Sequence, residues 1–369
     1  MKVHPPYFKT MDQKEILKKL ISFNTVKDKD NREMMDWLSS FLSSLGFAVE
    51  EFTGKDKGKK GILARSKPDV SLGFLCHTDT VPAGPDWKTN PFSLEEEDGK
   101  LYGLGASDMK GGIAACLAAI SQLDIKNAKK GVELIFTYDE EDDFSGIKDF
   151  MNHGRIGSKY VIVPEPTDAR PMFAAKGYVE LKLDIRGAAA HGSEPENGDN
   201  AIIKACEFIS KFKEFFDDKI RPETNDAFPG ARATYNIAKI SGGDAINKVP
   251  DRCVLEMECR TIGPQQTQEI YKGVLEILSN MTASVQMDFP LPCFFAKNDG
   301  MKSFFENITG KKRGYVSFVT EANFFVNGLE AVILGPGPVT AHKDNEYIDS
   351  ASLDALTEIY KKAIERYCF

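Results

Sequence analysis

Four short apolar runs, Leu72–Cys76, Val132–Tyr138, Tyr160–Val163 and Ala331–Leu334, constrain the fold of this chain more than any other feature. Each stops abruptly: the first at His77 and Asp79, the second at Asp139-Glu140-Glu141, the third at Glu165, and the fourth at Gly335-Pro336-Gly337. Apolar runs without polar alternation are strands buried on both faces, and such strands belong to a largely parallel sheet. Ahead of them, Gln13–Phe23 and Arg32–Phe47 carry apolar residues at helical spacing, so the chain opens by alternating α and β. Open α/β sheets bind ligands at the carboxyl ends of their strands, so these acids, the histidine and the glycines are expected to meet at one site.

Between about Gly177 and Pro292 the pattern changes. Strand Val179–Arg186, helix Asn200–Phe216, strands Thr234–Ile240 and Arg252–Thr261, helix Gln265–Met281 and strand Ser284–Phe289 follow in the order βαββαβ, the ferredoxin-like signature. With 369 residues the chain is too long for a single core. The reading is an inserted domain at 178–291 within a first domain made of 1–177 and 292–369.

Lys and Arg total 47 against 55 Asp and Glu, a net charge of −8, which disfavours nucleic acid and anionic membranes as partners. The longest nearly apolar stretch, Gly111–Ile120, is far short of a bilayer span, and Met1–Thr10 lacks an apolar signal core. Seven scattered cysteines with no CxxC pair suggest neither disulfides nor a thiolate zinc site, so a cytoplasmic location is expected. Lys55–Lys60 reads as a solvated basic turn.

His77 and Asp79 are two residues apart and so leave the same face of an extended strand, one able to bind a metal while the other stays beside it. Tyr102–Gly112 is a glycine-rich loop entering the small-residue helix Ile113–Leu123, but it lacks the Gly-Lys-[Ser/Thr] of a P-loop and has Asp108 where a dinucleotide fingerprint needs glycine. Asp108, at the entrance of that helix, suits either an N-cap or a ligand. Three adjacent acids at 139–141 repel one another and are costly at a buried strand end unless a cation compensates. In such a doublet one carboxylate can coordinate while its neighbour moves protons. Glu165 and His342 complete a set of imidazole and carboxylate donors without thiolate, suited to Zn²⁺, Co²⁺ or Mn²⁺.

His77-Thr78-Asp79-Thr80-Val81-Pro82, Trp87 with Asn90-Pro91-Phe92, Asp98–Gly103, Asp108-Met109-Lys110-Gly111-Gly112, Asp139-Glu140-Glu141 and Glu165-Pro166-Thr167 resemble the co-catalytic zinc amidohydrolase family. That family contains acetylornithine deacetylase, succinyl-diaminopimelate desuccinylase, aminoacylase and glutamate carboxypeptidase, and the resemblance runs from about Met11 to the end. Thr320-Glu321-Ala322, Leu334-Gly335-Pro336-Gly337, Ala341-His342 and Asn345-Glu346-Tyr347 most resemble the acetylornithine deacetylase branch. The chain departs from the family pattern at Leu104, commonly arginine, at Gly192, usually serine, and in the extra acids Asp142 and Asp143.

The resemblance implies an α/β fold: a mainly parallel-sheet zinc-peptidase catalytic domain with an inserted ferredoxin-like lid or dimerisation domain. It implies two divalent ions, Zn²⁺ first and Co²⁺ or Mn²⁺ as options, bridged by Asp108, with His77 and Glu165 on one and Glu141 and His342 on the other. Glu140 becomes the general base and Asp79 the carboxylate that fixes the His77 tautomer. His191 supports the oxyanion, often from the partner subunit of a homodimer, and Asn247 and Arg260 hold the substrate carboxylate. The expected reaction is amide hydrolysis of a small N-acyl amino acid, foremost deacetylation of N-acetylornithine in arginine biosynthesis. Succinyl-diaminopimelate desuccinylase, a metallo-dipeptidase or a carboxypeptidase are the alternatives, and a non-catalytic amino-acid-binding protein is a remote one.

Overall fold

Asp12 starts the first helix: its carboxylate accepts from Glu15 N at 2.9 Å, while Glu15 Oε2 accepts from Asp12 N at 3.1 Å, a reciprocal cap. The computed structural model describes residues 11–54, 58–325 and 328–369. The Met1–Thr10 start and residues 55–57 of the basic turn lie outside the described residues. In chain order the first half holds α1 (Gln13–Ile21), α2 (Arg32–Ser44), β1 (Ala48–Phe52), β2 (Gly61–Arg65), β3 (Val70–His77), β4 (Glu95–Glu97), β5 (Lys100–Tyr102), α3 (Gly111–Ser121), β6 (Gly131–Thr137), α4 (Ser145–His153), β7 (Tyr160–Val163) and β8 (Met172–Ala175). Then come β9 (Gly177–Arg186), α5 (Ala201–Phe215), β10 (Thr234–Gly242), β11 (Arg252–Thr261), α6 (Gln266–Leu278), β12 (Ala283–Leu291), β13 (Phe294–Phe295), α7 (Asp299–Thr309), β14 (Gly314–Val316), β15 (Glu330–Ile333), β16 (Tyr347–Asp349) and α8 (Ser350–Cys368). Helix α2 stops at Ser44 rather than at Phe47, because Gly46 turns the chain with φ 90°.

Two compact units divide the chain: Met1–Phe173 with Ala296–Arg313 and Asn327–Phe369, and Ala174–Phe295 with Gly314–Val326. The division differs from the expected 1–177, 178–291 and 292–369 at three places. Ala174 and Ala175 pair with Phe295 and Phe294, which moves both junctions outward. The 314–326 segment joins the second unit because Val316 O accepts from Lys176 N and the Asn323 amide donates to Lys176 O and Pro292 O.

In the first unit the strand order is β1-β2-β6-β3-β7-β15, with β6, β3, β7 and β15 parallel and β1 and β2 antiparallel at one edge. Strand β6 is buried along its whole length, as a central strand covered on both faces must be. Helix α3 is buried from Gly111 to Ile120 and packs against α1 and α8; a helix apolar all round has no solvent face. A Cβ on Gly112 would stand 2.5 Å from both the Cβ and the carbonyl oxygen of Pro164, so only glycine lets α3 approach the segment after β7 this closely.

The second unit holds an antiparallel sheet in the order β10-β11-β9-β12, the connectivity of the expected βαββαβ segment. Alternation along β9 and β11 sends Val179, Leu181, Leu183, Leu255 and Met257 onto Phe208, Phe212, Ile270 and Val274 of α5 and α6. The other face is polar, with Arg186 and Arg252 on Asp184, Lys182 and Lys239 on Glu256, and Arg260 on Glu258. None of the seven cysteines forms a disulfide among the described residues. Among the described residues no helix is long and apolar enough to cross a membrane.

Candidate metal centre

Strands β6, β3 and β7 are parallel neighbours, so their carboxyl ends share one edge of the first unit's sheet. His77 is the last residue of β3, the 139–141 acids follow β6, and Glu165 follows β7. The loop after β15 returns His342, held at φ 60°, to the same place. His77 Nε2 lies 3.0 Å from Asp108 Oδ1 and 3.7 Å from Glu165 Oε1. His342 Nε2 lies 2.9 Å from Glu141 Oε1 and 3.6 Å from Asp108 Oδ2. Asp108 therefore turns one oxygen to each histidine. It is no N-cap: helix α3 is entered through Lys110, with no side-chain cap. The two sides differ in exposure, the His77 side chain being 1% exposed and His342 55%.

Charge crowding dominates the electrostatics. Burial and the Asp108 carboxylate push Glu165 up to about 8, and the same two causes raise Glu141. Burial, together with Glu165, Glu141 and Asp108, holds Glu140 well above the ordinary carboxylate range. Burial opposes the charge on Asp108, but His342 and His77 outweigh it and draw its carboxyl well below the ordinary range. Asp108 and Glu141 in turn push His342 up to about 10. Donor atoms of His77, Asp108 and Glu165, of His77, Glu140 and Glu141, and of Asp108, Glu141 and His342 lie within 4.8 Å of one another in each group. A cluster of mostly buried oxygen and imidazole donors that must hold protons to tolerate its own charge fits divalent cations, which displace those protons.

Asp79 does more than the sequence suggests. Its Oδ1 accepts from Glu140 N at 3.2 Å and its Oδ2 from Glu141 N at 3.0 Å, so it fixes the backbone of the acid doublet. His77 Nδ1 lies 3.2 Å from the Asp79 main-chain oxygen and 3.5 Å from Oδ1, so the backbone carbonyl is its nearer partner. Asp139 turns away from the cluster at φ 56° to an ion pair with Lys59 and a 3.1 Å bond from Ser145 Oγ. Lys59 and Lys60 are thus paired rather than freely solvated, Lys60 with Asp36 and Glu51. Sequence reasoning missed Lys110 and Glu346, both buried: Lys110 Nζ donates to Phe23 O at 2.9 Å, and Glu346 accepts three main-chain N–H groups of the glycine-rich loop. Beside His342 opens a cleft of about 270 Å³ walled by Val81, Pro82, Trp87 and Leu104.

His191, Asn247 and Arg260 belong to the second unit. The first two are brought together: Gly192 N donates to Asn247 O at 2.8 Å, and His191 bridges Lys248. His191 Nδ1 is 2.7 Å from Ser193 Oγ. Arg260, on β11, stacks 4.0 Å from the Tyr178 ring centroid and donates to Glu258 at 3.0 Å.

Residues 73–366 match the sequence profile of Peptidase family M20/M25/M40. The acetylornithine deacetylase of Proteus mirabilis (strain HI4320) is 32% identical over 381 residues, covering 100% of this chain and 98% of that protein. A tripeptidase of Staphylococcus aureus superposes with a TM-score of 0.81 at 22% identity, over 96% of this chain and 97% of that one. A dinuclear metal-binding M20 peptidase of Bacillus subtilis does so at 0.69 and 14% identity, over 98% and 99%.

Proposed function

The chain belongs to Peptidase family M20/M25/M40, and we propose that it hydrolyses the amide bond of a small N-acyl amino acid, foremost N-acetylornithine. The observation that carries this reading is the Asp108 carboxylate, with one oxygen 3.0 Å from His77 Nε2 and the other 3.6 Å from His342 Nε2. His77 and Glu165 would hold one divalent ion and Glu141 and His342 the other, with Asp108 shared; zinc fits this donor set, and cobalt or manganese suit it too. Bound there, such ions supply Lewis acidity toward the scissile carbonyl.

Glu140 is the general base. It takes a proton from the attacking water and returns it to the departing amine, a role that its raised proton affinity suits. Asp79 aims that carboxylate by holding the two amides of the doublet. His191 is assigned to the oxyanion, and Asn247 and Arg260 to the substrate carboxylate, for which Arg260 exchanges its bond to Glu258. A cytoplasmic homodimer is the expected form. Supporting it, β10 is an edge strand of its sheet, and Ile240, with Ile203 and Ile246 of the same unit, is exposed.

The test is a substrate panel on metal-loaded protein: N-acetylornithine, other N-acetyl amino acids, succinyl-diaminopimelate and dipeptides. Turnover of acetylated amino acids above the rest is expected. Preference for the succinyl substrate or for dipeptides selects the desuccinylase or peptidase alternative, and binding without turnover of any selects the amino-acid-binding protein.

A further inference from the structure

Two of the five candidate ligands do not stand at the end of a sheet strand. His77 ends β3, and Glu141 and Glu165 lie on the short segments just after β6 and β7, whereas Asp108 rides on the glycine-rich loop and His342 on the loop between β15 and β16. Both loops are tied to one buried side chain. Glu346, 2% exposed, accepts from Gly105 N through Oε2 at 2.7 Å and from Ser107 N and Asp108 N through Oε1 at 2.7 and 2.9 Å. Its main-chain oxygen accepts from Gly103 N at 3.0 Å. On its own loop, Thr340 Oγ1 donates to Tyr347 O at 2.6 Å and accepts from Tyr347 N at 2.9 Å, closing the turn that contains His342. Thr340 N donates in turn to Ser107 Oγ at 3.3 Å.

We propose that Glu346 is a positioning residue that fixes Asp108 relative to His342, and so governs the half of the dinuclear centre formed by Asp108, Glu141 and His342. The inference rests on the dinuclear reading given above. A carboxylate that gathers three main-chain N–H groups makes charge-assisted bonds, the strong kind, and it orients the backbone from which Asp108 projects. Loss of Glu346 frees two of the three donors on the His342 side but only Asp108 on the His77 side. The His342 side is also the solvent-exposed one, with less packing to hold its donors in place.

Glu346→Gln separates this role from general stability, because the amide keeps an acceptor on one side and sets an NH₂ group against a backbone N–H on the other. Zn²⁺ or Co²⁺ alone is titrated into metal-free protein by calorimetry and equilibrium dialysis, with the Co²⁺ absorption spectrum as a geometric readout. Wild-type protein should take up two ions. In Glu346→Gln the weaker step should lose about 10–100-fold in affinity, the range for groups that orient ligands, while the tighter step moves by less than about threefold. In a His342→Ala background, which already lacks that half, Glu346→Gln should likewise move the remaining step by less than about threefold. Thr340→Val, which loosens only the His342 turn, should weaken the same step by a smaller factor and keeps the test available if the Gln variant fails to fold. Equal weakening of both steps, or two wild-type steps in Glu346→Gln, overturns the proposal. Fewer than two ions on wild-type protein instead overturns the dinuclear reading, and this inference with it.

Discussion

Asp79→Ala isolates the one side chain that holds the acid doublet in place. Asp79 is buried, and its two oxygens accept from Glu140 N and Glu141 N at 3.2 and 3.0 Å. Alanine leaves both amides without that acceptor. A hydrogen bond to a charged group contributes about 1.5–3 kcal/mol, so the pair is worth about 3–6 kcal/mol. At about 2–4 °C per kcal/mol, the melting temperature should fall by on the order of 10 °C. Asp79→Asn keeps one acceptor and should lose about half as much. The dependence on pH has a definite sign. Burial opposes the ionised form, but His77 and the two amides overcome it and lower the Asp79 carboxyl from 3.8. A carboxylate lowered on folding stabilises above its unfolded value and loses that contribution as pH falls through the folded one. The gap between wild type and Asp79→Ala should therefore be full at neutral pH and close in acid. Thermal melts of metal-free protein across that range provide the assay. A melting temperature for Asp79→Ala within about 2 °C of wild type at neutral pH would refute the reasoning.

Glu140→Gln should keep both metal steps and lower kcat by about 10²–10⁴, whereas Glu141→Gln should lose metal affinity first; identical metal titrations for the two would remove the division of roles. Affinity for Zn²⁺ should rise between about pH 6 and about pH 9, by up to about tenfold per pH unit for each proton displaced, because Glu165 is held up to about 8 and must ionise to bind. In metal-free protein the same shift runs the other way: stability from protonated Glu165 is full below 4.5 and is lost as pH rises through about 8, which melts with and without metal will separate. Phe212→Ala, at a fully buried ring packed against Phe208, Phe216 and Tyr235, should destabilise the second unit by about 3–5 kcal/mol, read as a fall in its denaturation midpoint.

Burial was the most legible property of the sequence. Tyr160–Val163 and Arg252–Thr261 match their strands residue for residue, the first as a continuous apolar run and the second through alternation. Donor types were legible for the same reason, since acids and a histidine at the ends of buried strands have no place in a core. Contacts through main-chain atoms were not. Nothing in the spacing of Asp79 to Glu140 reveals that a carboxylate will collect two amides, and Glu346 stands far along the chain from the Gly105–Asp108 loop that it gathers. The attachment of the 314–326 segment to the second unit is illegible for a related reason, because it runs through the Asn323 amide to two backbone carbonyls. Helix α6 ends at Leu278 rather than Met281 because the chain breaks into a turn there, with Met281 N bonded to Leu278 O at 2.8 Å. The apolar spacing alone continued past that turn.

The missing side chain at Gly112 bears on how this centre can change over evolutionary time. A methyl group there would meet Pro164 at 2.5 Å, against the ~3.5–4 Å of an ordinary carbon contact, so the backbone leading from Asp108 and the backbone leading to Glu165 would have to separate by about an ångström. Those two carboxylates flank the same histidine. The gap between two donors is thereby set by a residue with no donor atom of its own. A lineage drifting at this position would lose affinity for its ions while every coordinating side chain remained intact, and an inventory of ligands would show no reason for the loss.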